Sequence, residues 1–177
     1  SERAFSSRTF LNGSLGEALI AGLKKWGSSC RVYDGSDDSS LPYGKLMGAA
    51  IALSKEIKAA TSNPRIGIIL PPGKAGLLAN LAVVFAGKIP VNLNFTASQD
   101  AVNSAIRQAD LDRFITADPF VRKVTSFPWP PNRDLIFIER VLPGIKKQIV
   151  KWGILGKILP ADIISKLLGL GNRRGDD

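Results

Sequence analysis

Between Arg65 and Asp118 three short apolar runs are separated by two segments of helix length, and this spacing leaves few folds open. RIGIILPP, starting at Arg65, is an unbroken apolar run rich in β-branched residues and closed by Pro71, Pro72 and Gly73, so it predicts a strand buried on both faces. In KAGLLANLAVVFAG, Leu77, Leu78, Leu81, Val84 and Phe85 surround most of a helix and leave little polar face, so that helix must be largely covered. IPVNLNF predicts a second strand. Thr96 or Ser98 can cap a helix through Val102, Ile106 and Ala109, and RFITAD predicts a third strand. Strands joined by helices connect only by crossovers, which makes the sheet mostly parallel, with flanking helices. The fold class is α/β.

The flanks extend this unit. Ser14 and Glu17 form a capping box, and Leu15, Ala18, Leu19, Gly22, Leu23 and Trp26 recur on the helical face expected to pack. CRVYDG suits an edge strand. In the loop SDDSS, Asp37 and Asp38 read as a solvated turn in preference to a ligand site. From Pro42 to Ala60 a long helix turns Leu46, Ala50, Leu53 and Ile57 inward and Lys45, Lys55, Glu56 and Lys58 outward. Beyond the third strand, the prolines of FPWPP bar regular structure, Trp129 is expected to cover the core edge, and LIFIE supplies a fourth strand. The expected divisions are a tail over 1–13, the α/β unit over 14–140, an amphipathic helical segment over 141–171 and a flexible exit over 172–177.

Candidate chemistry is sparse. The chain has no histidine, which excludes a serine triad or a cysteine–histidine pair within these 177 residues, and its one cysteine, Cys30, fits a reducing compartment. PPGKAG follows a strand and opens a helix, as a phosphate loop would. However, Ile68 stands where the first glycine of such a loop is needed, and Ala75 where a Ser or Thr is needed. No GxGxxG follows a strand. Asp100, Asp110 and Asp112 have no evident catalytic partner. No catalytic, cofactor-binding or metal-ligating residue is assigned. Asn92 and Asn94 alternate with Val91, Leu93 and Phe95, and on a strand buried on both sides their amides are expected to be buried and internally bonded.

The excess of 24 Lys and Arg over 15 Asp and Glu, a net charge of +9, concentrates late in the chain. Over 140–171, Arg140, Lys146, Lys147, Lys151, Lys157 and Lys166 face the single acid Asp162. A helical wheel groups Ile145, Ile149, Trp152, Leu155 and Leu159 on one face. Ile163, Ile164, Leu167 and Leu168 form a second apolar face after Pro160. Such a basic amphipathic hairpin suits an anionic bilayer surface, with Lys146, Lys147, Lys151, Trp152 and Lys157 as the contacting residues. Docking of its apolar face onto protein is an equal expectation. A basic module for nucleic acid is the alternative class. It is disfavoured because the aromatics do not interleave with the cations as a stacking platform requires.

LPYGKL at 41–46, the segment IGIILPPGKAGLLANLAVVFAGKIPVNLNFTASQDAVNSAIRQADLDRFIT at 66–116 and LIFIE at 135–139 together resemble the N-terminal part of the adenylate-forming, AMP-binding acyl ligases. IPVNLNFTAS followed by NSAI is most similar to the bacterial acyl-[acyl-carrier-protein] synthetase type, often joined to a 2-acylglycerophosphoethanolamine acyltransferase. The resemblance implies a parent that activates a fatty acid with ATP and Mg and passes it to acyl carrier protein or coenzyme A, in the cytoplasm or at the inner face of its membrane. The family's glycine-rich adenylation loop and catalytic lysine have no counterpart here. The expectation is a structural N-terminal fragment, inactive alone, whose partners are the remaining domains of that parent and not nucleic acid.

Overall fold

A computed structural model describes residues 13–27 and 29–170. The exit expected over 172–177 lies outside them, as does the tail apart from Gly13. The chain opens with helix α1 (Leu15–Lys25) and continues through strands β1 (Arg31–Asp34) and β2 (Ser39–Pro42) to the long helix α2 (Tyr43–Ala60). There follow β3 (Arg65–Ile68), α3 (Lys74–Phe85), β4 (Ile89–Asn92), α4 (Gln99–Gln108), β5 (Phe114–Thr116), α5 (Asp118–Lys123) and β6 (Leu135–Phe137). Three helices close the described chain: α6 (Ile138–Gly144), α7 (Lys146–Ile158) and α8 (Ala161–Leu168).

The main sheet has four parallel strands in the order β4-β3-β5-β6, as the alternation of strand and helix requires. Its central strands are buried on both faces with a period of two. Ile66, Ile68 and Ile115 enter one core, while Ile69, Phe114, Leu135 and Phe137 enter the other. Helix α3 lies on the first face and is buried over Gly76, Leu78, Ala79, Leu81, Ala82, Val83 and Phe85. Helix α2 packs on α3 on one side and on α7 on another, so its outward lysines occupy a narrow strip. Ile145, Trp152, Ile164 and Leu168 join this same core, and the C-terminal helices are therefore packed against the α/β unit. On the other face, Val102 of α4 joins Phe127, and half-buried Phe120 and Trp129 close the edge.

Three expectations are corrected. CRVYDG does form a strand, but it pairs antiparallel with β2 in a separate two-stranded hairpin that SDDSS turns, because Arg31–Asp34 aligns with Ser39–Pro42. Helix α1 has the capping box, with Ser14 Oγ accepting from Glu17 N and Glu17 Oε2 from Ser14 N, yet it packs by Gly16, Ile20 and Leu23. Leu15 and Trp26, assigned to the packed face, are 64% and 48% exposed. A Cβ at Gly16 would lie 2.9 Å from Leu170 Cδ1, so the C-terminal end of the described chain selects this face. Asn92 and Asn94 are exposed, because β4 is an edge strand that ends at Asn92.

Candidate functional site

Open parallel sheets bind ligands outside the carboxyl ends of their strands, and here that edge is built by the β3–α3 turn and the end of β4. Leu70, Pro71, Gly76, Asn80, Asn92 and Phe95 are among the walls of a shallow 380 Å³ cleft there. Asn80 and Asn92 face each other across it through reciprocal amide bonds of 2.9 and 3.1 Å, and Asn80 Nδ2 also donates to Gly76 O. Asn94 Oδ1 accepts from Thr96 N and Oγ1, a local turn that ends the strand.

The free N–H groups at the start of α3 are the obvious anion site of this edge, and the chain fills it itself. Asp34, at the end of β1, accepts from Lys74 N at 2.8 Å. Asp37 pairs with Lys74 Nζ at 2.9 Å. The hydrogen bond from Lys74 N, followed by those from the Ser36 hydroxyl and N–H, lowers the Asp34 pKa to about 2. The Ser39 hydroxyl, and then Lys74, hold Asp37 below the ordinary carboxylate range. Gly73 is required at this turn. Its φ is 149°, and a Cβ would lie 2.7 Å from Asp34 Oδ2. PPGKAG is thus a helix start capped by a carboxylate from the hairpin, and it does not fit a nucleotide phosphate. Sequence reasoning missed the Asp34–Lys74 contact because its partners lie 40 residues apart and Asp34 belongs to no motif.

Three further carboxylates have structural partners. Asp112 accepts from Thr61 Oγ1 at 2.6 Å, and Asp134 pairs with Arg113. Partial burial pushes the Asp118 carboxyl up, but Arg140 at 2.5 Å and Arg122 at 2.6 Å outweigh it and leave the group below its ordinary value. Among the described residues no three His, Cys, Asp or Glu side chains gather to hold a metal ion. Trp129 covers the core edge as expected, its Nε1 donating to Val124 O at 2.7 Å between the edge-on rings of Phe120 and Phe127.

The C-terminal cations divide from their tryptophan. Lys146, Lys147, Lys151 and Lys157 are exposed. Trp152 is 5% exposed, buried with the α2 side chains and with Lys55 Nζ 4.9 Å from its ring. At 100° per residue, Val150, Ile154 and Ile158 lie across α7 from Trp152, and they are 62%, 54% and 71% exposed. That second stripe was legible from its i, i+4, i+8 spacing. On α8, Ile164 and Leu168 are buried while Ile163 and Leu167 remain exposed. No helix among the described residues is long and apolar enough to cross a membrane.

No family model matches the chain. It is 27% identical over 133 residues to an aldehyde reductase, lnbA, of Aspergillus flavus, a match covering 74% of this chain and 12% of that protein. Among solved structures it is similar to the N-terminal subdomain of Klebsiella oxytoca NpsA in complex with 3-hydroxybenzoyl-AMSN (TM-score 0.61, 12% identity, 81% of this chain and 35% of that one). It is also similar to a nonribosomal peptide synthetase bound to α-methyl-L-serine-AMP (TM-score 0.60, 14% identity, 71% and 14%). A third is the fatty acid AMP ligase of Legionella pneumophila (TM-score 0.54, 16% identity, 70% and 24%). The chain thus spans about a third or less of each of these proteins. The fold is α/β, that of the N-terminal subdomain of adenylate-forming ligases.

Proposed function

We propose that this chain is the N-terminal structural part of an AMP-forming fatty acyl ligase, whose parent uses ATP and Mg to activate a fatty acid for transfer to acyl carrier protein or coenzyme A. The observation that carries this reading is the agreement of sequence pattern and fold over the same residues. The ordered segments from LPYGKL to LIFIE resemble the acyl ligases, and the sheet those segments build, β4-β3-β5-β6, has the ligase subdomain fold. In this reading the chain supplies scaffold and substrate-side surface. Charge stabilisation and positioning of the transferring group fall to residues outside it, since the α3 start is filled by Asp34. The test is pyrophosphate release from ATP, Mg and palmitate. The 177-residue chain is expected to match a boiled control, and a protein extended by the coding sequence beyond Asp177 is expected to release pyrophosphate in a palmitate-dependent way. Release by the short chain, or a coding sequence with no glycine-rich adenylation loop within a few tens of residues, overturns the reading.

A second, narrower proposal concerns the outer surface of α7 away from the turns of Val150 and Ile154, where Ile158 stands exposed beside Lys146, Lys147, Lys151 and Lys157. This surface suits the anionic leaflet of a bilayer, with each nearby cation contributing about 1 kcal/mol. Trp152 takes no part, because it is buried. Co-sedimentation with anionic vesicles is expected, and its survival after replacing the four lysines by Glu refutes the electrostatic docking.

A further inference from the structure

Beside that surface a groove of 660 Å³ runs between the C-terminal half of α1, the start of α2 and α7. Its volume lies within the range of small-molecule sites, roughly 300–1,000 Å³. The floor and walls are apolar: Leu23, Pro42, Met47, Val150 and Ile154, with Gly153 leaving open space along α7. Every charged side chain lining it is a cation, namely Lys24, Arg31, Lys45 and Lys157. None of the four has an ion-pair partner among the described residues. Lys24 Nζ is anchored by Gly156 O at 2.9 Å and Lys157 O at 3.2 Å, which fixes one positive charge at the groove wall. Arg31 is steadied by Ser40 Oγ at 2.8 Å.

An apolar trough that already exposes Val150 and Ile154 to water gains by covering them, and uncompensated cations around it favour a negative charge at the covering molecule's end. A peptide or a flat bilayer meets only part of this description. The trough is a concavity lined by one chain, with four cations among its lining residues. We infer that this groove binds a single-chain anionic amphiphile, an alkyl chain lying on Leu23, Met47, Val150 and Ile154 with its acidic head among Lys24, Arg31, Lys45 and Lys157. A free fatty acid and a lysophospholipid with an acidic head share this chemistry. The inference does not rest on the ligase reading, since it requires no nucleotide and no residue outside the chain.

Equilibrium binding of radiolabelled palmitate to the 177-residue chain, below the micellar concentration and without ATP, tests it. Saturable one-to-one binding is expected. Each methylene removed is expected to weaken it by up to about fourfold, the ratio that about 0.8 kcal/mol per buried CH₂ gives, so that hexanoate is not held. Palmitoyl lysophosphatidate is expected to compete if the head site accepts phosphate, while failure to compete assigns the groove to carboxylates. Palmitoyl lysophosphatidylcholine, with no net charge, is expected to compete at least tenfold less well.

Two variants locate the site. A Cβ at Gly153 meets nothing within 4 Å, so Gly153→Leu fills the groove while favouring the helix. It is expected to abolish palmitate binding with the melting temperature unchanged or raised. Lys45→Glu with Lys157→Glu, both exposed, is expected to weaken palmitate binding at least tenfold and to leave the fold intact. Palmitate binding that is absent, indifferent to head charge, or unchanged in folded Gly153→Leu overturns the inference. So does association with anionic vesicles alone, which assigns Val150 and Ile154 to a bilayer. None of these results bears on pyrophosphate release, so the two readings fail separately.

Discussion

On one face of the sheet Ile66, Ile68 and Ile115 meet α3, behind which come α2 and then α7, so a mainly aliphatic core, with Phe85 and Trp152 inside it, continues through successive helical layers. On the other face Phe114, Leu135 and Phe137 meet a thinner cover of α4, α5 and the FPWPP loop, closed by the edge-on rings of Phe95, Phe120, Phe127 and Trp129. The difference lies in how each face excludes water. Depth does it on the helical face, where close-packed aliphatic side chains have no exposed edge. On the aromatic face large rings lie near solvent, and a polar tip, Trp129 Nε1, is tied to backbone. Stability therefore concentrates on the deep face, and the surfaces open to ligands lie where its layers end.

Substitutions can break that contrast, beginning with the deepest. Phe85, fully buried on α3, is expected to cost about 3–5 kcal/mol when replaced by Ala, measured by urea denaturation. A cost below that of Trp129→Ala would refute the claim that depth carries the stability. Next comes the seam between α2 and α7. A Cβ at Gly48 would lie 2.9 Å from Gly153 N and 3.0 Å from Ile149 O, both backbone atoms that cannot rotate away. Gly48→Ala is expected to cost about 1–3 kcal/mol and to increase protease cutting within α7. On the aromatic face Trp129→Phe keeps a ring but loses the bond to Val124 O, and it is expected to cost about 1 kcal/mol. An unchanged melting temperature would show that the loop closes that face by its rings alone.

At the carboxyl edge, where the two faces end, the effects become conditional or small. Asp34 has its pKa lowered from 3.8 to about 2 in the folded chain, so its contribution is fully present above the higher value and is lost as pH falls towards the lower one. The stability difference between wild type and Asp34→Asn is therefore expected to be flat at neutral pH and to shrink between about pH 4 and 2. A pH-independent difference would mean that the carboxylate does not cap α3. Asn94→Ala, at an exposed turn, is expected to change stability by less than about 0.5 kcal/mol. A larger cost would sharpen the picture by making this edge part of the core.

What the sequence determined by itself is the alternation along the chain. RIGIIL, KAGLLANLAVVF and the FIT of RFITAD are apolar enough that most of each must be buried, and Ser14 and Ser98 mark helix starts because their hydroxyls satisfy local N–H groups. These are nearest-neighbour effects, and they do not depend on what lies across the molecule. Tertiary structure decided between faces that the sequence made equally apolar. Helix α1 packs by Gly16, Ile20 and Leu23 because Leu170 lies over Gly16, and α7 turns Trp152 inward and Val150 outward because α2 stands on one side of it. It also put β4 at the edge, which exposes Asn92, and brought Asp34 to the start of α3. Strand order and the pairing of distant faces arise from contacts between segments far apart in sequence, whose closure no local period encodes. The amphiphile groove follows from the same cause. Its cations come from α1, β1, α2 and α7, and only packing brings them around one trough.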